Sequence, residues 1–308
     1  MSEQRRGTGF GVTAYLIWGL FPLFFPLLEP SGAIEILSHR VVWSLVVVVI
    51  VLLVSGNAWR RVPKSRRPLG LLTLAAVLIA VNWAVYIWGV NHGHVVETSL
   101  GYFVNPLVTV ALSVLVLRER LHRYQWVAVG IAAAGVVVLT IQAGRPPWIA
   151  LILACSFGAY GLIKKVVGVE PAAGLAVETA VLAPFAICYL LVLGANGQGT
   201  FAANGAGHAM LLVAAGPITA VPLMLFAAAS SRVPLSRMGL MQYLTPTIQF
   251  VIGVAVRHEP LPALRLVGFL TVWVALAVFT IEGATRRRRQ QPAGEQVTLA
   301  AVVPNPVR

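Results

Sequence analysis

The chain has 308 residues, 58% of them hydrophobic and only 11% charged, with a mean hydropathy of +0.83. A soluble domain carries about 25% charged residues, so this composition excludes an ordinary water-soluble core and makes lipid the expected solvent. The net charge of +13 falls in short basic clusters between apolar runs, without a base-stacking motif, which argues against nucleic acid as a partner.

Ten apolar segments follow one another, at roughly 9–28, 34–54, 69–90, 96–117, 125–142, 147–163, 174–193, 209–228, 239–256 and 265–282. Each is predicted to be a transmembrane helix, because lipid offers no partner to unpaired backbone groups and a barrel would alternate polar and apolar residues. The first follows Arg5 and Arg6 and has no clear small-residue cleavage site, so it reads as a retained helix and not as a signal peptide. The second carries His39 and Arg40. The third carries Asn82, Trp83 and Tyr86, with Asn82 and Tyr86 on one helical face. Beyond it, His92, His94 and Glu97 have no strong metal-site spacing and read as a solvated loop; no metal is expected. The fourth segment holds Tyr102, Asn105 and Pro106 and ends on the collar Arg118-Glu119-Arg120, where local pairing is the expected role of Glu119. Ala154 and Gly158, four apart on the sixth, permit close helix approach. The seventh holds Glu178, the eighth Pro222, and the ninth Gln242, Tyr243, Pro246 and Gln249.

All ten acidic residues are Glu, and no G-x-x-x-x-G-K-[ST] pattern occurs, so neither a Walker-type ATP site nor any other cofactor is expected. Cys155 and Cys188 lie inside apolar runs and read as small buried hydrophobes. The joints distribute 19 basic residues to one side and 3 to the other, with Arg40 left inside a helix. Both termini are therefore expected in the cytoplasm.

The stretch 99–121 recurs at 239–261. At an offset of 140, Leu100, Pro106, Glu119 and Leu121 meet Leu240, Pro246, Glu259 and Leu261, and Tyr243 answers Phe103. Five helices separate the copies, and an odd number turns the second copy upside down. The expected architecture is all-α and integral to the membrane: a cytoplasmic segment 1–8, a five-helix repeat 9–142, an inverted repeat 147–282 and a disordered cytoplasmic tail 283–308. Inverted repeats with interrupted helices are a common plan of secondary transporters.

The stretches AYLIWGLFPLFF (14–25), EILSHRVVWSL (35–45), NWAVYIWGVNHGHVVETSLGYFVNPLV (82–108), LRERL (117–121), SFGAYGLIKK (156–165), GLAVET (174–179) and GLMQYLTPTIQF (239–250) resemble the RarD-type branch of the drug/metabolite transporter superfamily, built from two EamA repeats. The resemblance covers about 9–282 and implies a ten-helix inner-membrane exporter or permease.

Ionisable groups inside a membrane cost at least about 2.5–3.5 kcal/mol each, which makes Glu178, His39 and Arg40 candidates for ion or proton coupling. Depth argues against an Arg40–Glu178 pair, since the two lie on opposite sides of the midplane, about 10 Å or more apart along the normal. Asn82, Trp83, Tyr86, Tyr102, Asn105, Gln242, Tyr243 and Gln249 are candidates for a substrate cavity, with helix glue and interface anchoring as their competing roles. Pro106, Pro222 and Pro246 are candidate hinges. The expected function is alternating-access transport of a small molecule by a monomer or homodimer; the alternative, a membrane enzyme acting on lipid or isoprenoid substrates, lacks a cluster of catalytic groups.

Overall fold

Proline and glycine set where the helices start, stop and touch. The structure, a computed structural model, describes residues 3–55, 60–91, 95–121 and 148–256, with scattered residues between 123 and 137 and at 267, 270 and 274. Among the described residues the chain is all-helical. Helix α1 (Glu3–Gly19) gives way to the short turns α2 (Phe21–Phe24) and a 3₁₀ turn (Phe25–Leu28), where Pro22 and Pro26 withhold the N–H groups that would continue it. Then come α3 (Ala33–Val54), α4 (Arg66–Asn91), α5 (Val95–Leu115), α6 (Trp148–Val167), α7 (Pro171–Ala195), α8 (Gly205–Ser230), α9 (Leu235–Met241) and α10 (Leu244–Ala255). Gly168, at φ 59°, turns the chain out of α6, and the Glu170 carboxylate accepts the Ala173 N–H (3.0 Å) to cap α7 ahead of Pro171.

Six helical stretches of 20 to 26 residues, among the described residues, are long and apolar enough to cross a bilayer. Their outward faces are apolar too: Phe185 is 75%, Met210 71% and Leu191 68% exposed. Cys155 and Cys188 are also exposed, not buried as their apolar context predicts, because the outside of such a bundle is itself apolar. Helix α1 begins at Glu3, so residues 3–8 are helical and continuous with the first apolar segment. The expected tenth helix lies almost wholly, and more than half of the expected fifth, outside the described residues, as do His92, His94 and Glu259.

Packing is by small residues and rings. Helix α5 lies on α6, where a Cβ at Gly158 would come within 3.0 Å of Val108. Helix α3 lies on α7 and α8, α4 on α6 and α7, and α1 on α8 and α10. The centre of the core is aromatic: Phe226 of α8 meets Tyr15 at 6.3 Å, Phe157 at 5.5 Å and Tyr160 at 5.9 Å between ring centroids. Each such pair contributes about 0.5–1.5 kcal/mol beyond area burial.

The recurring stretch is continuous in its first copy and broken in its second. Pro106 sits inside α5 without interrupting it. Pro246 stands at the third position of α10, where its ring would clash with the Gln242 carbonyl of a continuous helix, and the chain turns at Gln242 and Tyr243 instead. The two copies touch. Helix α9 packs on α5, and a Cβ at Gly239 would stand 3.0 Å from the Pro106 carbonyl oxygen.

Candidate functional site

Four helices converge on one small cavity. Helix α3 contributes Arg40 and Ser44, α4 contributes Trp83, α7 contributes Glu178 and Thr179, and α8 contributes Thr219. The space that admits the centre of a water-sized sphere is about 10 Å³, enough for one water molecule. Any larger ligand requires the helices to part.

Arg40 is 8% exposed. Its Nε donates to Thr219 Oγ1 (2.8 Å), and that hydroxyl in turn donates to the Ala215 carbonyl (2.7 Å). The guanidinium lies over three rings, 4.5 Å from the centroid of Trp83, 5.5 Å from Phe25 and 5.7 Å from Phe21. Cation–π contacts of this kind reach about 2 kcal/mol when desolvated, which helps hold a charge in an apolar bundle. Tyr86 and Tyr102, edge to face at 5.9 Å, are within electrostatic reach of the same group. Close approach of α3 and α8 makes this possible: a Cβ at Gly216 would strike Trp43, and Ser44 Oγ donates to the Gly216 carbonyl (3.1 Å).

Glu178 has partners of its own. Oε1 accepts from Lys164 Nζ at 2.6 Å, and Oε2 accepts from the Tyr160 hydroxyl at 3.2 Å. The side chains of Lys164 and Glu178 are 4% and 2% exposed. The basic-residue pattern assigns Lys164 to an interfacial cluster. It lies instead inside α6, turned towards α7, because the helix runs on to Val167. Lys165, one residue on, takes the other direction and donates to the carbonyls of Ser230 (3.1 Å) and Val233 (2.8 Å) at the end of α8.

The remaining candidates separate into four places. Asn82 does not line the cavity. Its amide donates to the Leu153 carbonyl and to Ser156 Oγ, both at 2.9 Å, and ties α4 to α6. Asn105, Gln242 and Tyr243 are buried near the crossing of α5 and α9; Gln242 donates to Thr109 Oγ1 (3.2 Å), while the Asn105 Oδ1 and Tyr243 hydroxyl have no hydrogen-bond partner among the described residues. Gln249 donates to the Trp18 carbonyl at 3.4 Å. His39 stacks on Phe201 at 4.9 Å, near a polar knot at the start of α3. There Glu35 accepts the Thr200 N–H (2.7 Å), and the Ser31, Thr200 and His208 side chains bond to one another.

Glu119 does not pair with its arginine neighbours among the described residues. Its carboxylate receives the Leu235 N–H (2.8 Å), the Ser236 N–H (3.0 Å) and the Ser236 hydroxyl (2.7 Å), and so caps α9 from across the chain. Arg118, at φ 53°, makes the turn that aims it there. A left-handed non-glycine residue costs about 1–2 kcal/mol, which three hydrogen bonds to a charged carboxylate offset.

A model of the EamA-like transporter family matches residues 5–141. The chain is 53% identical to "Protein RarD" of Streptomyces exfoliatus over 100% of its own length and 98% of that relative. It is 44% identical to "Uncharacterized transporter YojE" of Bacillus subtilis, over 93% of this chain and 97% of that one. With "Protein RarD" of Escherichia coli it shares 39% identity over 93% and 98% of the two chains. A solved crystal structure, 18% identical, superposes with a TM-score of 0.69 over 92% of this chain and 99% of its own, which is a likeness of fold. Apolar helices, a cavity bordered by buried ionisable residues and relatives spanning the whole chain agree: this chain belongs to the EamA-like transporter family, in its RarD-type branch, and is a multi-pass membrane transporter.

Proposed function

We propose that the protein is a secondary transporter of the cell membrane that moves small organic molecules by alternating access, with the cavity between α3, α4, α7 and α8 as its central chamber. The cavity carries this reading. It draws its walls from both halves of the chain, and it is lined by two ionisable groups inside an apolar bundle. Ten transmembrane helices in two inverted repeats, 9–142 and 147–282, with both termini cytoplasmic, complete the architecture. The helix pairing supports it: α1 on α8 is matched by α6 on α4, α1 on α10 by α6 on α5, and α3 on α8 by α7 on α4. Under the same exchange α3 on α7 and α5 on α9 map onto themselves. Two equivalent halves give two equivalent ways to open, one to each side.

Glu178 is the proposed proton-coupling group, because protonation would dissolve its ion pair with Lys164 and release α6 from α7. Pro106, Pro222 and Pro246 are the proposed hinges, and outward movement of substrate is the proposed direction. The test is flux by the full chain in proteoliposomes against a panel of metabolites and drugs, with and without an imposed pH gradient. The reading expects accumulation of at least one compound, driven by the gradient and lost in Glu178→Gln while that variant remains folded in the membrane. Gradient-driven flux unchanged in Glu178→Gln would overturn the coupling role, and no flux of any compound would overturn the transporter reading.

A further inference from the structure

The two ionisable residues that border the cavity are not equally paired. Glu178 is neutralised by Lys164 at 2.6 Å and saturated further by the Tyr160 hydroxyl. Arg40 is buried too, yet no carboxylate among the described residues lies within ion-pairing distance of it. Its hydrogen bond to Thr219 uses Nε and leaves the outer Nη edge of the guanidinium free of protein hydrogen bonds among the described residues. Rings can soften the cost of this charge but do not cancel it, and a buried charge without a counter-ion is unfavourable.

We infer that the ligand of this cavity is an organic monoanion, a carboxylate on an apolar or aromatic body, and that Arg40 binds its head group. This rests on the transporter reading above and names its substrate class. The planar fork of a guanidinium matches a carboxylate with two parallel hydrogen bonds. Trp83, Leu182 and Leu223 supply the apolar wall for the body, and the Thr179 and Ser44 hydroxyls lie on the same lining. A cationic ligand would meet the field of Arg40 and find Glu178 already occupied. A neutral one would leave the guanidinium unmatched. One unmatched charge sets the class at a single negative charge.

The experiment compares acids with their amides, which keep the shape and remove the charge. Benzoate and hexanoate are tested against benzamide and hexanamide at neutral pH, by flux in proteoliposomes and by thermal stabilisation of the detergent-solubilised full chain. The wild type is expected to favour each acid by about tenfold or more, the worth of one charge-assisted hydrogen bond. Arg40→Gln is expected to lose that preference, and Arg40→Lys to keep part of it, because the charge stays while the fork is lost. Variant folding is read from monodispersity and melting temperature; if Arg40→Gln fails to fold, Arg40→Lys and competition by acids against amides on the wild type decide the matter. Flux of the amides equal to that of the acids overturns the inference and leaves the transporter reading intact. Stabilisation by acids without flux supports the anion site and counts against transport. Absence of both flux and stabilisation with every acid overturns the inference.

Discussion

The Lys164–Glu178 pair gives the sharpest quantitative test of the structure. With both side chains under 5% exposed and 2.6 Å between charges, removing either partner strands the other in an apolar interior. The expected cost is about 3–5 kcal/mol for Lys164→Met or Glu178→Leu alone. Replacing both together leaves no stranded charge, and such apolar replacements of a buried pair are often neutral. The double variant should therefore be far more stable than the sum of its singles predicts. A coupling energy of several kcal/mol is expected, against about 0.5 kcal/mol for residues that do not interact. The assay is denaturant-induced unfolding in detergent, followed by tryptophan fluorescence, on the wild type, both singles and the double. If the double costs the sum of the singles to within about 0.5 kcal/mol, the buried pair is not what holds α6 to α7.

Glu119→Ala removes three hydrogen bonds from the start of a seven-residue helix and should cost about 1–2 kcal/mol in the same assay, most of it lost in Glu119→Gln as well. Gly216→Ala drives a methyl group into Trp43, so about 1–3 kcal/mol of overpacking is expected, together with impaired flux, because Thr219 is one turn further along α8. Asn82→Leu should lower stability by about 0.6–1.7 kcal/mol and leave the relative flux of different compounds unchanged, since its amide serves α6 and not the cavity. Trp83→Leu should alter relative KM values and also lower the melting temperature, because its ring helps to hold the Arg40 charge. A change of selectivity in the Asn82 variant alone would refute this division.

Charges inside apolar runs are legible in the sequence as the expensive features they are, and Arg40 and Glu178 stand out on that ground alone. Lys164 does not, because a lysine next to another lysine at the end of an apolar run reads as an interfacial cluster, and only the turn of α6 separates an inward Lys164 from Lys165. Thr219 gives no signal at all: a threonine in the middle of a helix acquires meaning only when Arg40, 179 residues earlier, is laid against it. Glu119 sits beside arginines that explain it locally, whereas its partners are 116 and 117 residues away. The repeated proline is visible in the sequence, but not that Pro246 breaks its helix while Pro106 does not. Spacing also groups Asn82 with Tyr86 on one face, although helix contacts give them different neighbours. Periodicity locates helices; which of their polar groups meet is decided by packing.

The claim that a central chamber opens to both sides is tested most directly at Thr179, which lines the cavity and is 5% exposed. Both native cysteines, Cys155 and Cys188, would be replaced by Ala, and Thr179→Cys would supply the only thiol. A membrane-impermeant thiol reagent is then applied to right-side-out and to inside-out proteoliposomes. Labelling from either side is expected, as the chamber alternates between its two openings. Labelling from one side only, or from neither while the unfolded protein reacts, would contradict the account.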